Sequence, residues 1–106
     1  MAGIRLSVPS SATRDEVIEI KALIRHKMES GFRRGARGEV IPREIITRFE
    51  CTYDGAIVFA ADFHPAIAAN PILTFYVKAT QTGSIDFRWT DENGESWSDR
   101  AMLEVT

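Results

Sequence analysis

The chain has 106 residues, enough for one domain with a single two-layer core and too few for a second domain and its linker. With 44% hydrophobic and 26% charged residues it has enough apolar surface to offset the entropy of ordering, which excludes a disordered chain. The formal net charge of −2 offers no global field to nucleic acid or an anionic membrane, and the single cysteine, Cys51, excludes an intrachain disulfide framework.

The dominant hydrophobic period is two. Ile4-Arg5-Leu6-Ser7-Val8 alternates cleanly and predicts a half-buried strand that Pro9 helps to end. Ser10 to Asp15 is polar and reads as a turn. Glu16 to Ile24 could be taken for a helix, but Val17, Ile18, Ile20 and Ile24 are β-branched and favour a strand, with Ile18, Ile20 and Ala22 on one face. His26 to Glu39 carries Gly31, Gly35 and Gly38 among charges and predicts a long loop or hairpin tip.

Val40-Ile41-Pro42-Arg43 leads into a strand over Ile45 to Tyr53, with Pro42 marking an edge or a bend at its start. Asp54-Gly55 predicts a type I′ turn joining it to Ala56 to Ala61 as a hairpin. Phe63 to Pro71 is irregular, broken by His64-Pro65 and Asn70-Pro71, with room for one helical turn over Ala66 to Ala69. Leu73 to Ala79 and Ser84 to Thr90 alternate again, with Phe75, Phe87 and Trp89 inward. Asn93-Gly94 marks a second hairpin into Glu95 to Thr106. About seven antiparallel strands, with turn signals every ~8–12 residues, predict an all-β, immunoglobulin-like sandwich over residues 1–106 as a single domain.

Chemistry-bearing residues are sparse. A zinc site needs three or four converging ligands, and two histidines, His26 and His64, with one cysteine show no ligand spacing, so neither a metal nor any other cofactor is expected. Cys51 lies mid-strand on the face of Phe49 and Tyr53, which predicts a buried thiol rather than a nucleophile; a thiol enzyme built on it is the sharper alternative. Arg33-Arg34-Gly35-Ala36-Arg37 reads as a solvated hairpin tip, with an anion-binding tip of a stand-alone sandwich as its alternative. Apart from Phe32 it lacks interleaved aromatics for stacking nucleic-acid bases. Met1 to Val8 has no long apolar run of the signal-peptide kind, and no stretch approaches the ~20 apolar residues of a membrane helix. By themselves these readings predict a cytoplasmic binding or scaffolding domain, not an enzyme.

Four stretches taken together resemble one family. They are His26-Lys27-Met28-Glu29-Ser30-Gly31; Val40-Ile41-Pro42-Arg43 with the Phe49, Cys51, Tyr53, Gly55 series; Phe59 through Asp62-Phe63-His64-Pro65-Ala66-Ile67-Ala68-Ala69-Asn70-Pro71; and Phe75-Tyr76, Lys78-Ala79-Thr80 and Gly83 leading to Trp89-Thr90-Asp91 and Gly94. In order and spacing they resemble the SoxZ family from about residue 4 to 105, with Lys27 standing where the family pattern has proline.

The resemblance implies a non-catalytic subunit that pairs with a SoxY-like sulfur carrier as a heterodimer during thiosulfate oxidation. The carrier's C-terminal arm cysteine holds the sulfur intermediates and meets SoxAX-, SoxB- and SoxCD-like enzymes. This chain ends Met102 to Thr106 without such an arm, which places it as the partner. The resemblance also implies a periplasmic location, reached by export with a partner bearing a twin-arginine signal. The expected interface residues are Tyr53, Phe59, Phe63, His64, Pro65, Ile67, Pro71 and Tyr76.

Overall fold

Period-two burial runs through nearly every strand of the computed structural model, which describes residues 3–29, 31, 34–40, 43–64, 67 and 69–106. The strands are β1 (Ile4–Ser7), β2 (Ser11–Ala12), β3 (Val17–Ile24), β4 (Ile46–Tyr53), β5 (Ala56–Asp62), β6 (Ile72–Lys78), β7 (Gly83–Asp91) and β8 (Ser96–Val105). They form a three-stranded sheet in the order β1-β3-β6 and a five-stranded sheet in the order β2-β8-β7-β4-β5. The sandwich class expected from the sequence is the one observed. No helix forms among the described residues, and Ala66 and Ala68 of the expected helical turn lie outside them, as do Phe32, Arg33, Ile41, Pro42 and Pro65.

Two expectations need correction. The described residues form eight strands, because Ser11 and Ala12, within the expected turn, form β2. That strand pairs with β8 in parallel, so the sandwich is not wholly antiparallel. Two residues are too few to show a period. β2 exists because Ala12 is drawn into the core while the Ser10 and Ala12 carbonyls accept the N–H groups of Glu104 and Thr106. The second correction concerns β4, which starts at Ile46. Thr47 is an extra residue against β7, as the register shifts between Ile46 and Arg48. The bulge lets Ile46 and Phe49, three apart, both point into the core, which strict alternation forbids.

The turn chemistry works by two routes. Asp54 and Gly55 both have positive φ, 51° and 85°, as a type I′ turn requires. At the second hairpin only Gly94 is left-handed, at 84°. There the carboxylate of buried Asp91 accepts the N–H groups of Asn93 and Glu95 and closes a three-residue loop. The His26–Glu39 stretch does fold back, through backbone bridges Glu29–Glu44 and Arg34–Val40.

The inward faces of β3, β4, β6 and β7 meet in a core around Phe49, whose ring lies 4.9 Å from Trp89, 5.9 Å from Phe75 and 6.1 Å from Phe59. Phe59 and Phe75 stack at 4.3 Å with 5° between their planes. That stack brings β5, the edge of one sheet, against β6, the edge of the other. Both edges open on the same side of the sandwich.

Candidate partner-docking surface

An exposed strand edge invites another chain unless it is blunted by charge, proline or cover. On one side of the molecule the edges are blunted. β8 carries Asp99 and Arg100 along its exposed part and β1 carries Arg5, with Pro9 following. On the other side β5 reads Ala-Ile-Val-Phe-Ala-Ala, with no charge before Asp62. A register shift against β4 makes Val58 an extra residue, and Ile57 and Val58 both remain exposed. On β6, Ile72 and Tyr76 are exposed, and the Tyr76 hydroxyl donates to Glu19 at 3.1 Å. The unblunted side is therefore uncharged along β5 before Asp62 and along β6 as far as Val77, with Lys78 the one charge of β6, at its end.

The residues named from the sequence as interface divide by position. Tyr76 is exposed on the outer face of β6, and Phe59 is half-buried beneath the open side in its stack on Phe75. His64 is exposed, and Ile67 and Pro71 are half-buried beside the start of β6. Tyr53 and Phe63 are buried within this chain's own core, and Pro65 lies outside the described residues. The Tyr53 hydroxyl accepts the N–H groups of Thr80 and Gln81 at 3.2 and 2.9 Å and donates to the Gln81 carbonyl. Sequence reasoning missed Val17, Ile57, Val58 and Ile72. Their signal was present: each is a large apolar residue at a position whose neighbours on that face are polar, or on a strand with no polar face at all.

Cys51 is sealed between Phe49 and Tyr53 with no exposed surface. Burial, helped by the Asp86 carboxylate, pushes its thiol up to about 12, so almost no thiolate exists near neutrality. No three metal-capable side chains gather among the described residues. At the glycine-rich tip, Arg34 donates to the Gly38 carbonyl, and the Glu39 carboxylate accepts the Arg37 N–H at 3.0 Å, which sets an anion where the alternative reading of this tip would place a bound one.

His26 is buried and ties two segments together. Its backbone N–H donates to Asn70 Oδ1 at 2.9 Å and its carbonyl accepts the Asn70 N–H at 2.7 Å. Nδ1 accepts the Met28 N–H at 3.0 Å, which leaves the imidazole proton on Nε2, and the ring packs at 67° to Trp97 with centroids 5.6 Å apart. Burial lowers its pKa below 6.5 against the opposing pull of Glu44, Asp91 and Glu95. The folded state thus favours the neutral ring. Its contribution is complete above pH ~6.5 and is lost as pH falls from there through the lowered folded value, by at most ~1.4 kcal/mol per pH unit for one proton. Urea melts at pH 7.5 and 5.5 should show the loss, and His26→Asn, which keeps an acceptor but cannot titrate, should flatten it. An unchanged slope in the variant would assign the acid sensitivity elsewhere.

The sequence profile described as "Sulphur oxidation protein SoxZ" matches residues 4–102. The chain belongs to the SoxZ family. No curated protein matches it in sequence. Among solved structures, this SoxZ-family chain is similar to a superoxide reductase (neelaredoxin) from Ignicoccus hospitalis, with 17% identity, a TM-score of 0.73, and 97% of this chain and 80% of that one covered. It is also similar to the sulfur carrier protein SoxY from Chlorobium limicola f thiosulfatophilum, with 12% identity, a TM-score of 0.68, and coverage of 97% and 78%. At these identities the likeness is one of fold. The family places the chain as a subunit of a Sox sulfur-oxidation system.

Proposed function

We propose that the chain is the non-catalytic subunit of a sulfur-carrier complex: it binds and scaffolds a SoxY-like subunit whose own arm cysteine carries the sulfur intermediates of thiosulfate oxidation. The observation that carries this reading is the sealing of Cys51. A sulfur carrier needs a thiolate that can reach its enzymes, and the one thiol in this sequence is buried mid-strand with its pKa raised to about 12. What the molecule does offer is a surface, the unblunted apolar side made by β5 and β6. The partner docks there, with Phe59, His64, Ile67, Pro71 and Tyr76 at or beside the contact. Contacts with SoxAX-, SoxB- and SoxCD-like enzymes are transient and made through the carrier. The complex works in the periplasm, which this chain reaches with a partner bearing a twin-arginine signal.

Co-expression with a tagged SoxY-like subunit tests the reading. An equimolar complex is expected, with Cys51 inert to a thiol reagent at pH 8 in the native protein and labelled at once after unfolding. A chain that stays monomeric beside the carrier at about 10 μM, weaker than the micromolar affinity of even loose specific complexes, contradicts it. So does a sulfur adduct found on Cys51.

A further inference from the structure

The open side cannot by itself hold a stable partner. β5 and β6 have seven residues each. At ~3.3 Å per residue and ~10 Å between sheets they make a strip of about 230 Å², against the roughly 600–1,000 Å² each partner gives up in a stable complex. The footprint has to continue around one corner of the sandwich, either over β5 onto the five-stranded sheet or over β6 onto the three-stranded one.

The two outer faces differ in kind. Beyond β5 the surface is laced with ion pairs: Arg48 with Asp62 at 2.9 Å and with Glu50 at 3.5 Å, and Arg100 with Asp86 at 2.5 Å. Covering them would take paired charges out of water, and burial of such pairs returns little or nothing. Beyond β6 the outward positions include Val17, Leu23, Ile72 and Tyr76. Val17, Ile72 and Tyr76 are 60%, 57% and 63% exposed. The register sets Ile72 opposite Leu23 and Tyr76 opposite Glu19, and a groove lined by Ile72, Leu23 and Leu6, with Arg5, Ser7 and Lys21 beside them, runs across the face. Three cations, Arg5, Lys21 and Lys78, share this face with one anion, Glu19, which lies 3.8 Å from Lys21 and leaves the face with a net positive charge.

We infer that the carrier subunit wraps the β6 corner and covers the outer face of the three-stranded sheet, leaving the outer face of the five-stranded sheet to solvent. The inference rests on the proposed function and adds the surface and its chemistry. The occupant presents an apolar strip, received between Ile72, Tyr76 and Leu23, flanked by carboxylates that meet Arg5 and Lys78. The five-stranded face, with its ion pairs left in water, stays available for other contacts.

Titrations of the carrier with Ile72→Glu, Tyr76→Ala and, on the opposite face, Arg88→Glu test this. All three side chains are exposed, so melting temperatures should stay within ~4 °C of the parent, the shift of about 1 kcal/mol in a domain this size. Ile72→Glu and Tyr76→Ala are each expected to weaken binding about tenfold or more and Arg88→Glu less than ~3-fold, since buried anchors dominate an interface. Added salt should weaken the wild-type complex. Loss with Arg88→Glu but not with Ile72→Glu overturns the inference, as does wild-type affinity in all three; in both cases the proposed function stands. A wild-type chain that fails to bind the carrier sinks the proposed function itself. A homodimer that Ile72→Glu dissociates, with carrier binding intact, assigns the face to a second copy of this chain and also overturns the inference.

Discussion

Phe49→Ala is expected to remove about 3–5 kcal/mol of stability, more than any substitution on the exposed faces. The ring is fully buried and bears on four other aromatics, Phe59, Phe75, Phe87 and Trp89, drawn from three strands and both sheets. Shrinking it leaves a cavity that those rings cannot close without giving up the Phe59–Phe75 stack that holds the two open edges together. Against a typical total of ~5–15 kcal/mol for a domain, a loss of this size leaves a substantial unfolded fraction. Urea unfolding should show a midpoint lowered by a third or more of its parent value with little change in slope, on the order expected from that ratio. A loss below ~1.5 kcal/mol would mean that the core collapses around the gap far more readily than a five-ring cluster should.

Tyr53→Phe should have the second largest effect, about 1–3 kcal/mol, by deleting a single oxygen. That hydroxyl sits at the end of β4 and serves three backbone groups of Thr80 and Gln81, in the connection from β6 to β7. The connection crosses from one sheet to the other, so the tyrosine fastens the two layers at the end away from His26 and Asn70. Without the oxygen, two N–H donors and a carbonyl lose their partner in a part-buried place. Thermal melts should fall by ~4–15 °C. Binding of the carrier below the melt should stay within ~3-fold of the parent, because the side chain touches this chain's own loop and not the open surface. A binding loss with unchanged stability would instead restore Tyr53 to the interface.

These two residues show how far the sequence carries. Phe49, Cys51 and Tyr53 share a face by simple alternation, and all three are buried as that alternation requires. The same rule located the inward faces of β3, β6 and β7, because a half-buried strand writes its environment into every second residue. Asp54-Gly55 and Asn93-Gly94 were legible for an equally local reason, since few residues accept a left-handed backbone. The ordered matches to the SoxZ pattern named the system.

Other features depend on residues far apart in the chain. β2 exists only because β8 passes beside it, and the Thr47 bulge only because β7 sets the register that Ile46 must leave. Phe63 and Tyr76 look alike in the sequence as aromatics of the same region, yet one is 7% exposed and the other 63%. What the sequence by itself determined was the period-two architecture, the buried thiol and the family, since each is written in neighbouring residues or their order. The tertiary structure alone decided that β5 and β6 open on the same side and that the three-stranded sheet bears the exposed apolar face, because exposure depends on what packs across a residue.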